Sequence, residues 1–207
     1  MTEDFIRINI AFKPPIEIAE QMAKLSQEVS KKEDAYFAID NLNFYPHITI
    51  YSPKYPKHNE DKIFKAIDEL VKKFSSIKFI PNGINTNQGY IGIGAEYSDE
   101  IKNIHEKIVE KLNPLREGHL RAKYANAYNM QFSEEKLQNI QKYGYPDSMN
   151  FYHPHMTITR LKDEKLAERV AKEIQISFKE FTIDKIGAFK MGENGTCVEL
   201  IKEFKLG

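Results

Sequence analysis

Two short stretches carry residue types suited to acid–base chemistry. "YPHITIY" fills residues 45–51 and "YHPHMTITR" fills residues 152–160. Both hold Pro-His, an apolar residue, Thr and then Ile. In a strand, alternate side chains share a face. His47, Thr49 and Tyr51 then point one way, with Ile48 and Ile50 opposite. His155, Thr157 and Thr159 share a face in the second copy, opposite Met156 and Ile158. Repetition of a fold accounts for the apolar positions, but gives no reason to keep the polar pair. Two imidazoles and two hydroxyls around one pocket suit phosphodiester chemistry. Imidazole titrates near neutral pH, so one ring can take a proton from water while the other gives one to a leaving oxygen. The hydroxyls can hold non-bridging phosphate oxygens as charge builds on them. Each acid or base typically contributes roughly 10²–10⁴-fold, and no metal or other cofactor is required. The competing reading is a three-histidine zinc site built from His47, His153 and His155. Against it, the first copy has Tyr45 where the second has His153, and the threonines would be idle. His58, His105 and His119 read as surface or helix-face residues without convergent partners.

The elements that must position these strands follow from periodicity. "FIRINIAF" (residues 5–12) reads as a strand. After the Pro pair, Ile16, Ala19, Met22, Leu25 and Val29 are spaced as a helix. A second helix is predicted over 60–74, and "IKFIPNGI" and "YIGIGAEY" read as strands. Their turn falls at Asn82-Gly83 or at Asn87-Gln88-Gly89. Ser98 is an N-cap for a helix that Pro114 ends, "KDEKLAERVAKEI" is a helix, and the tail holds two or three strands around "GENG". Each half of the chain offers strand, helix, signature strand, helix, strand. The prediction is an α+β, bilobal fold with pseudo-two-fold symmetry. Two antiparallel sheets face a central cleft, and the helices pack outside. No Gly-, Ser- or Pro-rich linker divides the chain, so residues 1–207 are expected to form a single domain.

Composition narrows the partners. Lys plus Arg and Asp plus Glu are 30 each, for zero net charge. A protein that grips a long nucleic acid usually carries a basic excess. A nucleotide or short RNA substrate, or a local basic patch, is therefore expected. The single cysteine, Cys197, excludes an internal disulfide and a Cys-based zinc site. No apolar run approaches the roughly 20 residues of a membrane span. "MTEDFIRINI" lacks the basic and apolar regions of a signal peptide. A cytoplasmic monomer with no membrane partner is the expectation.

With both motifs in view, the chain resembles the two-histidine (2H) phosphoesterase superfamily. It looks most like the branch of 2′-5′ RNA ligases and RNA 2′,3′-cyclic phosphodiesterases. The likeness extends to "IRINIAFKPP", "YIGIGAEYSDEIKNIHEKI" and "FTIDKIGAFKMGENGTCVELIKEF". It implies His47 and His155 as the acid/base pair, and Thr49 and Thr157 as phosphate holders. It implies metal-independent hydrolysis of a 2′,3′-cyclic phosphate or 2′-5′ phosphodiester. The alternatives are 2′-5′ RNA ligation, which is the reverse reaction, and non-catalytic binding of nucleotides or RNA ends. Substrate contacts are expected from Tyr51, Tyr152 and Arg160, although strand parity points Arg160 away from His155 unless the strand twists after Thr159. One departure from the resemblance is a longer segment over residues 114–150, read as an insertion before the second motif. It contains a strand-like "AKYANAYNMQF", a helix capped by Ser133, and a Tyr-rich loop. It reads either as a support layer or as a lid or wall, in which Tyr143, Tyr145 and Tyr152 stack on a base and Arg116, Arg121 and Lys123 meet phosphate.

Overall fold

A computed structural model describes residues 4–125 and 132–207. The first part of the chain forms β1 (Phe5–Ile6), β2 (Ile8–Lys13), α1 (Ile16–Lys32), β3 (Ala35–Ala38), β4 (Ile48–Tyr51), β5 (Tyr55–Pro56) and α2 (Glu60–Val71). The middle adds β6 (Ile77–Phe79), β7 (Pro81–Asn87), β8 (Tyr90–Ala95), α3 (Asp99–Leu112) and α4 (Glu134–Tyr143). The last part forms β9 (His155–Leu161), α5 (Glu164–Glu173), β10 (Phe181–Ile183), β11 (Lys185–Met191) and β12 (Cys197–Lys205).

Local chemistry sets several of these boundaries. Ser98, Ser133 and Asp163 each accept a hydrogen bond from the backbone N–H three residues on, capping α3, α4 and α5. The β7–β8 hairpin turns at Gln88 and Gly89, with φ of 50° and 82°. Two consecutive positive φ values are what a primed two-residue turn needs to match strand twist. "IKFIPNGI" divides in two: β6 leaves the main sheet and pairs with β10, placing Phe79 opposite Phe181. In the strand-like piece at 122–132, Ala122–Tyr124 is a 3₁₀ turn, and 126–131 lie outside the described residues.

The main sheet runs β12-β11-β2-β4-β9-β8-β7, with β3 also paired to β9. All of its pairings are antiparallel. It consists of two four-stranded halves, joined where β4 meets β9 through one residue pair, Ile48 with Met156. These are the apolar residues between His and Thr in the two signatures. Both are fully buried, and each contributes roughly 1.5–3 kcal/mol by leaving water. The join therefore brings the polar pairs on either side of it close to one another.

The lobes are not the two halves of the sequence. α1 packs on β3 and β9, and α5 on β7, β8 and β9, while α2 and α3 pack on β12 and β4. The C-terminal hairpin β11–β12 completes the sheet half begun by β2 and β4. A half-sheet needs its full set of neighbours to bury one apolar face. Here each half draws neighbours from distant parts of the chain. The apolar core is continuous across both halves, from Ile8 and Ile186 to Ile93 and Ile158.

Candidate active site

The signature strands alternate regularly from His to Thr and then break step. On β2, Ile10 and Ala11 are adjacent, yet they pair with Tyr51 and Thr49. Ile50 therefore bulges. On β8, Ile91 and Gly92 pair with Thr159 and Thr157, so Ile158 bulges. The same irregularity falls at the same place in both copies, and a bulge reverses the facing of whatever follows it.

Three expected substrate contacts are corrected, those of Tyr51 and Arg160 by that reversal. Tyr51 turns into the core and is fully buried. Its hydroxyl donates to the carbonyl of Tyr143 and to Asn113 Oδ1 (3.2 Å). Tyr152 is also buried, and its hydroxyl donates to the Thr49 carbonyl (2.9 Å). Neither lines the cavity described below. Arg160 behaves differently. The bulge brings it to the side of Thr157, but it spends its guanidinium on protein. Nη1 donates to Asn194 Oδ1 (2.9 Å), Nε donates to the Gln88 carbonyl (3.2 Å), and the group lies over the rings of Tyr90 and Tyr36 (4.7 and 4.9 Å). Tyr90 and Asn194 line the cavity, and Arg160 braces them from behind.

His105 also differs from its sequence reading as a helix-face residue, being fully buried. The bulge frees the Ile50 carbonyl from the ladder, and His105 Nδ1 donates to it (2.9 Å). Its Nε2 accepts from the Met149 amide (2.8 Å). Its ring stacks on Tyr152 at 3.8 Å between centroids, with 4° between planes. Burial lowers its pKa to about 4, against the smaller opposing effect of the Ile50 bond. The neutral tautomer is the form that both bonds require.

His47, Thr49, His155 and Thr157 all line one cavity of about 690 Å³. The two imidazoles are held alike. His47 Nδ1 meets the Tyr45 carbonyl at 2.8 Å, and His155 Nδ1 meets the His153 carbonyl at 2.9 Å. In each case the acceptor precedes Pro46 or Pro154. Proline locks its own φ and biases the residue before it to extended backbone, which presets where that carbonyl points. A carbonyl can only accept, so Nδ1 carries the hydrogen and Nε2 is left to the cavity. The threonines differ. Thr49 Oγ1 accepts from Asn9 Nδ2 (2.9 Å), an amide that also reaches Cys197 Sγ (3.3 Å). Asn9 is fully buried in β2. The sequence reading missed it, although a lone Asn amid "INIAF" is the kind of buried polar position that needs a partner.

The histidines also differ in environment. His47 is partly buried and His155 is exposed. Burial depresses His47 to about 4, the Tyr45 bond opposes this, and the nearby His155 adds a smaller depression. His47 is thus neutral at pH 7.

Much of the remaining wall comes from two places. β7 and β8 supply Asn82, Asn85, Gly92 and Gly94. A Cβ on Gly94 would lie 2.5 Å from Asn82 Oδ1, so glycine leaves the amides their room. The 114–151 segment supplies Arg121, Lys123, Lys136, Tyr145, Asp147 and Phe151. Of the basic residues expected to meet phosphate, Arg116 is excluded. It is 3% exposed and donates to the carbonyls of His119, Gln141 and Lys142, holding the C-terminal end of α4. Tyr143, expected to stack on a base, packs against the core. Among the described residues, no three His, Cys, Asp or Glu side chains converge as metal ligands. No helix among them is long and apolar enough to cross a membrane.

Comparison with solved structures bears on the fold. E. coli LigT complexed with 3′-AMP superposes with a TM-score of 0.58 over 98% of this chain and 99% of that one, at 14% identity. TT0787 of Thermus thermophilus gives 0.59 over 97% and 98%, at 13% identity. A crystal structure of a phosphoesterase gives 0.53 over 97% and 98%, at 11% identity. No curated protein sequence matches. The architecture is shared nearly end to end with LigT. Within that architecture, the chain belongs to the family described as "Protein of unknown function (DUF1045)", whose model matches residues 54–195.

Proposed function

We propose that this protein is a metal-independent phosphodiesterase that hydrolyses a 2′,3′-cyclic phosphate or 2′-5′ phosphodiester of a nucleotide or short RNA. One observation carries the reading. Both signature imidazoles, each with Nδ1 tied to the carbonyl two residues back, line one cavity with both signature threonines. The complexes of LigT with 3′-AMP and with ATP add that a protein of this fold accepts nucleotides.

The two environments support one assignment of the steps. His47, neutral at pH 7, takes a proton from water on Nε2 as the water oxygen attacks phosphorus. The P–O bond to the ribose breaks, and His155 delivers its Nε2 proton to the departing oxygen. The two rings exchange protonation states and reset through solvent. Asn9 occupies a lone pair of Thr49 Oγ1, so the Thr49 hydroxyl proton is free to donate to a non-bridging oxygen. Thr157 does the same from the other lobe. These groups account for both proton transfers and for the developing charge.

The test is hydrolysis of nucleoside 2′,3′-cyclic phosphates and 2′-5′ oligonucleotides in the presence of chelator. Turnover is expected, with loss in both His47→Ala and His155→Ala. Activity unchanged in either variant overturns the proposal.

A further inference from the structure

The chain as a whole is neutral, but its cavity is not. The charged residues lining it are Arg121, Lys123, Lys136 and Asp147, three cations against one carboxylate. Asp147 is engaged by Lys136 at 2.9 Å. Arg121 and Lys123 sit at one 3₁₀ turn, both over the ring of Tyr124 (5.5 and 4.7 Å). We infer that this wall, built by the segment before the second motif, binds a second phosphate of the substrate, distinct from the one that reacts. The inference rests on the phosphodiesterase reading of the same cavity and adds the class of substrate to it.

The electrostatics of this wall favour binding of an anion. Burial first, then Arg121 and Arg7, lower Lys123 to about 8, while Asp147 acts in the opposite direction. Arg7 is lowered too, by burial first and then by Arg121. Gathering like charges in a partly desolvated wall is unfavourable in isolation, and a bound anion offsets it. The reacting diester does not need these residues, because it carries one negative charge and the signature groups receive it. Tyr145 and Phe151 line the same wall and offer apolar and aromatic surface for a nucleoside. The substrate that fits is a nucleotide with a cyclic phosphate at one end and a phosphate at its 5′ position. That second group is either a terminal 5′-phosphate or the internucleotide phosphate of a short RNA.

The experiment compares three substrates under chelator: adenosine 2′,3′-cyclic phosphate, its 5′-phosphorylated form, and a dinucleotide ending in a 2′,3′-cyclic phosphate. At least one of the two carrying a second phosphate is expected to show a kcat/KM about tenfold or more above the bare nucleoside, mostly through KM. Which one does so identifies the source of the second phosphate. In Arg121→Gln/Lys123→Gln the ratio is expected to fall close to one, whereas Lys123→Arg keeps it. Thermal melts confirm that each variant folds. Equal use of all three substrates by the wild type overturns the inference and leaves the phosphodiesterase reading intact, as does a preference that survives the double glutamine variant. If the wild type turns over none of them, the phosphodiesterase reading fails. Calorimetric binding of the same three compounds then decides the wall: tighter binding with the second phosphate supports it, and equal binding overturns it.

Discussion

The His47 strand and the His155 strand share a backbone and differ in their surroundings. Each has a proline before the histidine, an Nδ1 bond to the carbonyl two residues back, and a bulge directly after the threonine. One step beyond the bulge pairing, β2 presents Asn9 and β8 presents Tyr90. Asn9 holds Thr49, while Tyr90 supports Arg160 and lines the cavity. The first lobe partly buries its histidine and the second leaves its own exposed. The duplicated signature thus supplies two equivalent imidazoles, and burial makes them unequal. In the proposed mechanism the neutral, partly buried ring is suited to be the base and its exposed partner the acid.

The strongest way to break this comparison is to remove each ring in turn. His47→Ala and His155→Ala are each expected to lower kcat/KM by roughly 10²–10⁴-fold on a cyclic phosphate. A 4-nitrophenyl phosphodiester, whose leaving group needs no proton, separates them. His155→Ala should recover most of its loss on that substrate and His47→Ala should not, and the reverse pattern would exchange the two roles.

Next in size is the threonine pair. Thr49→Val and Thr157→Val each remove one donor to the phosphate, and kcat should fall by about 10²-fold. Asn9→Ala should cost about tenfold or less, since it acts through the Thr49 hydroxyl. The signature of that route is non-additivity: adding Asn9→Ala to Thr49→Val should cost little more, whereas adding it to Thr157→Val should cost its full amount.

The pH dependence probes the asymmetry more finely. His47 is the base only when unprotonated, so kcat/KM should rise with pH through about 4. In His155→Ala, the His47 ring signal followed by NMR should titrate higher than in the wild type, because one of the depressing influences is gone. The shift should be modest, since burial is the larger cause. Linkage gives the same sign for stability. With the folded pKa below the usual 6.5, the unfolded chain binds more protons as pH drops. The contributions of His47 and His105 are thus present above 6.5 and are lost as pH falls towards 4, which a series of melting temperatures will show.

The smallest effect concerns the residue that parity alone places beside His47. Tyr51→Phe removes a buried hydroxyl that bonds Tyr143 and Asn113, and should cost about 1 kcal/mol in denaturant melts. Its kcat and KM should stay at wild-type values, because the ring faces the core. A large rise in KM would show that Tyr51 reaches substrate after all, and would restore the simple alternation.

Much of the fold was legible in particular residues. The helical stripes of α1 and α3, the caps at Ser98 and Ser133, and the Gln88-Gly89 turn, one of the two places expected for it, all rest on local interactions, which a stretch of sequence carries within itself. β3 and β5 were not legible, since short strands depend on partners far along the chain. The same reason hid Asn9, His105 and the true task of Arg116, each defined by a distant neighbour or by the end of another helix.

The sequence by itself determined that the chain carries two His-x-Thr strands, each with a proline to set its histidine, and that the polar pairs face away from an apolar core. Period two over three residues is a local property, and it survives folding from His47 to Thr49 and from His155 to Thr157. What only the tertiary structure decided is everything past the threonines. A bulge belongs to a pair of strands and not to one, so the turn of Tyr51 into the core and of Arg160 towards the cavity depends on β2 and β8. Burial likewise depends on the whole packing, which is why two like histidines end in unlike surroundings, one partly buried and one exposed.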